Sequence, residues 1–171
     1  PLFSGISEKE KSALLKVAKI RQLSHGQVLF IQGDPMLSFH VIYRGTIQMF
    51  RETLDGHEIT PEILISGESL CPAEIPNSNP IYNINARAVD DCMLLEIPMG
   101  WLRQNLQNFD HLVLKLFSDI SHRLQGTTLE VERQTTMSAA QLVTCFLYEL
   151  CVRYDFDPRG FELPYSKTLI A

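Results

Sequence analysis

Three runs decide the fold: GQVLFIQGDP (residues 26–35), FHVIYRGTIQMFR (39–51) and LISGESLCP (64–72). Each is short, β-branched or aromatic, and closed by turn residues. Val28, Phe30, Phe39 and Ile42 supply the strand character. Turn signals recur about every ten residues: Gly26, Gly33-Asp34-Pro35, Gly45, Asp55-Gly56, Ser66-Gly67 and Asn77-Ser78-Asn79-Pro80. Short strands at that spacing predict a closed or sandwich-like antiparallel barrel. Asp55-Gly56 tolerates positive φ at both positions and is a hairpin turn. Cys92-Met93-Leu94-Leu95-Glu96-Ile97 is the last strand, closed by Pro98, and MGWLRQNL (99–106) opens a short helix.

Helical periodicity brackets the barrel. Ser7-Glu8-Lys9-Glu10 is a capping box leading into Leu14, Leu15 and Ala18. After the barrel, Val113, Phe117, Ile120, Leu124, Thr127 and Val131 are spaced 4, 3, 4, 3, 4. That is the a/d stripe of a pairing helix, so these six residues are the expected homodimer seam, beside the alternative of a helix that buries one face on its own domain. Leu112, Leu116 and Leu129 add a flank able to pack on the barrel. The polar face carries Asp119, Arg123, Glu130 and Arg133. Ser138 and Gln141 form a second capping box, and Leu142, Cys145, Phe146 and Leu150 make the next apolar face. Phe161-Glu162-Leu163 reads as a strand. Ser166 caps a helix whose first turn is Lys167–Ala171 and which is expected to continue past the end of the sequence. The boundaries are therefore a sensing barrel at 1–108, a dimerisation helix at 109–136, and the beginning of a further domain at 137–171.

Composition narrows the function. The 171 residues are 45% hydrophobic and 20% charged, the pattern of a soluble globular protein. Net charge is −5 with no basic stripe, which argues against nucleic-acid binding by these residues themselves. No apolar run approaches the ~20 residues that cross a bilayer, and residues 1–12 carry no secretory pattern, so a membrane partner is not expected. Cys71, Cys92, Cys145 and Cys151 lack CxxC or metal-ligand spacing. Scattered thiols fit a reducing, cytoplasmic location. All five histidines (His25, His40, His57, His111 and His122) read as solvated. A metal-dependent jelly-roll enzyme needs two or three His and a carboxylate converging inside the barrel, and no HxH pair is present. The chain reads as a sensor, not an enzyme.

This order of motifs resembles the cyclic-AMP receptor protein / fumarate-nitrate regulator (CRP/FNR) family of transcription regulators over nearly the whole chain. LFSGISEKEKSALL, HGQVLFIQGDP, FHVIYRGTIQMFRETLDGHEI, HRLQGTTLEVERQ and LPYSKTLIA carry the resemblance. It implies an α+β fold: a double-stranded β-helix (jelly-roll) sensor barrel, a long dimerisation helix, and the start of a C-terminal winged helix-turn-helix domain. It also implies DNA as a partner of the C-terminal domain, with Lys167 placed for a phosphate contact. An effector pocket is implied around Gly67, Glu68, Leu70, Cys71, Tyr82 and Asn83 on the barrel and Thr127 and Thr128 on the helix. Nucleotide-binding members carry Gly-Glu and Arg-Ser pairs there. A cyclic phosphate wants a guanidinium fork and a ribose hydroxyl wants a carboxylate. Here those pairs read Cys71-Pro72 and Tyr82-Asn83, with Arg87 further along. Cyclic AMP is thus not the expected effector. An iron–sulfur member would need an N-terminal cysteine cluster, and residues 1–30 hold none. Some members sense carbon monoxide or nitric oxide through haem, and one has a Cys where Cys71 stands, which makes Cys71 a candidate haem thiolate beside the alternative of an inert buried thiol. A regulatory nucleotide domain of a kinase or channel is a further alternative, disfavoured by the absent phosphate Arg and by the helix-turn-helix entry.

Overall fold

The computed structural model describes residues 2–53 and 55–154. A helix α1 (Glu8–Val17) leads into strands β1 (Lys19–Leu23), β2 (Val28–Phe30), β3 (Ser38–Arg44), β4 (Ile47–Glu52) and β5 (Glu58–Leu64). A 3-10 turn at Pro72–Glu74 precedes β6 (Asn85–Ala88) and β7 (Cys92–Pro98). Helices α2 (Met99–Asn105), α3 (Asp110–Thr136) and α4 (Ala139–Tyr154) follow. Every strand pair is antiparallel, in two sheets ordered β1-β7-β3 and β2-β6-β4-β5. This is the antiparallel sandwich expected from the turn spacing and the jelly-roll implied by the family resemblance.

Cover on both faces explains why the middle of β3 is a continuous buried run. Phe39, His40, Val41 and Ile42 are all buried, because both faces of its sheet are covered. His40 and Ile42 share one face with their partners Glu96 and Leu94. Phe39 and Val41 share the other with Ile97 and Leu95. Contact of His40 with Phe30 turns the first face toward the second sheet, and α1 and α2 cover the second face. Phe39, Ile42, Ile47, Leu64, Leu94, Ile97 and Leu102 are fully buried. Each such side chain contributes roughly 1.5–3 kcal/mol through the area it removes from water.

The turns are built as their residues require. The capping box at Ser7 and Glu10 is formed in both directions. Gly56 has φ +82° in the β4–β5 hairpin, where Thr53 N–H donates to His57 O at 2.8 Å. Gly45 has φ +96°, and a Cβ there would lie 2.7 Å from Cys92 Sγ and 2.9 Å from the Asp91 carbonyl oxygen. Asp90 seals the same turn by accepting from Thr46 N–H at 2.7 Å.

The chain parts into two compact units between Ile120 and Ser121, inside α3. In the first, Leu112 and Leu116 anchor the opening turns of α3 in the barrel core. Leu129, read as part of the same flank, is exposed in the second unit. That unit contains the rest of α3 and α4. There an ion pair joins Arg133 to Glu149, and Cys145 Sγ lies 3.9 Å from Met137 Sδ. Ser138 opens α4 with its N–H donating to Gln141 Oε1 at 2.9 Å. The strand expected at Phe161–Leu163 and the helix start at Ser166 and Lys167 lie outside the described residues.

Candidate functional site

The segment from Ile65 to Ile75 is a strap held against β3 by backbone hydrogen bonds. Gly67 N–H donates to Ile42 O at 2.7 Å, Ile42 N–H to Glu68 O at 2.9 Å, and Leu70 N–H to His40 O at 3.0 Å. Gly67 has φ +91°, which a glycine adopts without strain. Glu68 closes the turn by accepting from Ile65 N–H at 2.8 Å. Leu70 is a core residue with no exposed surface, so of the expected pocket residues it supports and does not line. Ser69 is fully buried and donates through Oγ to Asp119 Oδ2 on α3 at 2.8 Å.

Cys71 ends the strap in the left-handed region, φ 49° and ψ 47°, the one non-glycine residue with positive φ among those described. Holding a Cβ there costs on the order of 1–2 kcal/mol. The position is the one where the family resemblance places a glycine. The Cys71 thiol is half-buried against the core. Among the described residues no group of three or more His, Cys, Asp or Glu is placed to hold a metal ion. Cys92 is buried and burial pushes its thiol up to about 11, so it stays protonated and inert.

Tyr82 stands at the position where the family resemblance implies a phosphate-binding arginine, and its side chain is a ring packed in the core. It is 4% exposed and stacks on Phe30 with centroids 3.5 Å apart and planes 5° from parallel. Its hydroxyl donates to Ser38 O at 3.0 Å. Burial first, then the neighbouring Cys71, raises its pKa well above the ordinary tyrosine value, so the phenol stays neutral. Asn83 is exposed and donates to Glu74 Oε1 at 3.1 Å. Arg87 cannot substitute for the missing cation. It lies between Ala86 and Ala88, which face the core, so its side chain is on the opposite face of the sheet. There it is committed to Glu58 (3.0 and 2.5 Å), to Gln48 Oε1 (2.7 Å) and to the face of Phe50 (4.5 Å). Thr127 and Thr128 are exposed and spend their hydroxyl hydrogens on Arg123 O and Leu124 O, both at 3.0 Å. Lys167 lies outside the described residues.

One expectation is overturned. His40 was read as solvated and is 6% exposed. It lies two residues from Ile42 on the same strand and so shares the inner face between the sheets. Burial lowers its pKa to about 4; Glu96 pulls the other way and Arg21 adds a smaller depression. His40 forms the floor of a concavity of about 240 Å³ whose walls include Arg21, Phe30, Ser38, Tyr82 and Glu96. Ser38 Oγ donates to Glu96 Oε1 at 2.9 Å. In FHVI His40 is in phase with Ile42, and in CMLLEI Glu96 with Leu94, but Phe39 and Val41 on the other phase are as apolar, so the register of the sheet is needed to tell the inner face.

An antiparallel β-sandwich with a strap over one strand and a concavity against the same strand is the architecture of this domain. The chain belongs to the cyclic nucleotide-binding domain family, whose model matches residues 20–109, and it is homologous to regulators of the CRP/FNR type. It is 25% identical over 167 residues, 95% of its length, to the fumarate and nitrate reduction regulatory protein of Vibrio cholerae. To the protein of that name from Yersinia pestis it is 24% identical over 155 residues, 88% of its length. The chain spans 66% and 61% of those relatives. Among solved structures it resembles the sensor domain of the transcriptional regulator DNR from Pseudomonas aeruginosa. That match has 26% identity and a TM-score of 0.63, covering 75% of this chain and 86% of that one. No described helix is long and apolar enough to cross a membrane.

Proposed function

We propose that this chain is the sensor and pairing part of a cytoplasmic CRP/FNR-type transcription regulator whose effector is not a cyclic nucleotide. The observation that carries this reading is Tyr82. Its ring is stacked on Phe30 and hydrogen-bonded to Ser38 where a phosphate would need a guanidinium. The nearest cation in sequence, Arg87, is on the other face of the sheet in a bidentate pair with Glu58.

An effector that displaces the strap changes the setting of α3 through the Ser69–Asp119 hydrogen bond. Signalling then requires only that the effector bind one setting of the helix more tightly than the other. The stripe on α3 supports pairing: Phe117 is 66% and Leu124 68% exposed, and apolar surface of that kind is covered in an a/d seam. A paired α3 brings two DNA-contacting segments together. The names of the regulatory relatives support the transcriptional reading.

Equilibrium dialysis against labelled cyclic AMP and cyclic GMP tests the effector claim. No retention at millimolar nucleotide is expected, and saturable binding with a micromolar dissociation constant sinks it. Haem added in the same assay gives no Soret band that depends on Cys71; a band lost in Cys71→Ala assigns the strap to haem instead.

A further inference from the structure

The concavity on the far side of Tyr82 has the makings of a second ligand site. Its lining carries charges of both signs that do not neutralise each other. Arg21 makes no ion pair or hydrogen bond through its guanidinium among the described residues. Arg21 pairs with Leu94 across β1 and β7, and Glu96 pairs with Lys19. Arg21 and Glu96 are therefore diagonal neighbours on one sheet face, with backbones roughly 7–8 Å apart. Glu96 and Asp34 both line the concavity, so it holds one more acidic group than basic.

His40 adds a directional acceptor. The Tyr82 hydroxyl gives its hydrogen to Ser38 O at 3.0 Å, so at 3.4 Å from His40 Nδ1 it is an acceptor. That puts the ring hydrogen on Nδ1 and the lone pair on Nε2. Nε2 has no protein partner, yet no buried side-chain nitrogen or oxygen is left unpaired among the described residues. The Nε2 edge therefore opens onto the concavity. Leu29, Pro35 and Leu37 supply apolar wall.

We infer that this concavity binds a free α-amino acid with an apolar side chain. Arg21 takes the α-carboxylate with its planar fork. Glu96 and His40 Nε2 accept from the α-ammonium. The side chain lies on Leu29, Pro35 and Leu37. A volume of about 240 Å³ is below the usual range for drug-sized ligands, which suits a molecule this small. No residue of the strap lines the site, and the inference stands whether or not the chain regulates transcription.

Thermal denaturation of the purified chain with L-leucine, L-leucinamide, N-acetyl-L-leucine and isovalerate, backed by calorimetric titration, tests it. At a hundred times its dissociation constant, leucine raises the midpoint by roughly 5–10 °C. The amide, which lacks the carboxylate, and the two ligands without an ammonium bind at least tenfold more weakly. Arg21→Gln weakens leucine at least tenfold and leaves the amide unchanged. Glu96→Gln weakens leucine and leaves the N-acetyl compound unchanged. No shift with leucine, valine or methionine at 10 mM, or equal binding of leucine and its capped forms, overturns the assignment. So do variants that fold by circular dichroism and bind leucine as the parent chain does. The capped-ligand comparison on the unaltered chain decides the matter by itself if either variant fails to fold.

Discussion

Acid destabilises this fold through His40 more than through any surface histidine, and the size of the effect follows from its burial. The ring is 6% exposed and its pKa is lowered to about 4. An unfolded chain returns it to the ordinary value near 6.5. The depressed value means that the native state holds His40 neutral while the unfolded state takes up a proton. Stability from this group is therefore complete above pH ~6.5 and is lost as pH falls toward 4. Between pH 7.5 and 4.5 the two pKa values give a loss of about 2.5 kcal/mol. Urea unfolding at pH 7.5, 6.0 and 4.5, followed by fluorescence, measures it. The single tryptophan, Trp101, packs edge-on against Phe109 in the barrel unit at 5.8 Å and so reports on the relevant unit. His40→Gln removes the titration and leaves every carboxylate in place. The parent chain should lose about 2–2.5 kcal/mol more than His40→Gln over that range. Profiles that stay parallel within ~0.5 kcal/mol would show that His40 is hydrated in the native state and would refute the argument.

Three further outcomes follow from single contacts. Gly45→Ala sets a Cβ at 2.7 Å from Cys92 Sγ with φ at +96°, and should cost roughly 2–4 kcal/mol in urea unfolding; a cost below ~0.5 kcal/mol contradicts the packing. Ser69→Ala leaves the half-buried Asp119 carboxylate without its 2.8 Å donor and should cost about 1–3 kcal/mol, whereas Asp119→Asn, which still accepts, should cost less. A reversed order rules out the hydrogen bond as the link. Phe117→Glu or Leu124→Glu places a charge in the proposed seam, at several kcal/mol per buried carboxylate, so light scattering should find a monomer; an unchanged dimer removes α3 as the pairing surface.

The frame of the molecule was legible because its punctuation is chemical. Gly45, Gly56 and Gly67 stand where backbones need positive φ, and Ser7 with Glu10 closes a helix start. These are local demands that one residue meets, so they can be read one residue at a time. The stripe on α3 was legible for the same reason, since a helix fixes which residues share a face. The site was not, because its content depends on which face of a covered sheet a residue takes. The run Phe39–Ile42 carries apolar residues on both faces, so alternation gave no contrast by which to place His40. Arg87 is one strand residue from the core alanines, and that single step sends its guanidinium to the opposite face. Tyr82 could be placed at the pocket by its position in the chain. That its ring lies on Phe30 and fills the pocket depends on β2 being folded beside it.

The strap and the concavity meet at one residue, and this bears on what the barrel can transmit. His40 presents its side chain to the concavity while its carbonyl accepts the strap's Leu70 N–H at 3.0 Å. Ser69, next along the strap, bridges to Val41 and donates to Asp119 on α3. A ligand that shifts the His40 ring acts on a rigid strand whose residues on either side of it, Phe39 and Val41, are buried. Close packing leaves such a strand little room to yield locally, so the displacement passes to the strap. The Tyr82 ring, stacked on Phe30 and bonded to Ser38, braces the same strand from the second sheet. In a nucleotide-binding barrel a phosphate–guanidinium contact would do the bracing only when ligand is present. Here the aromatic pair does it at all times, which leaves His40 and the strap as the parts whose position a ligand can still change.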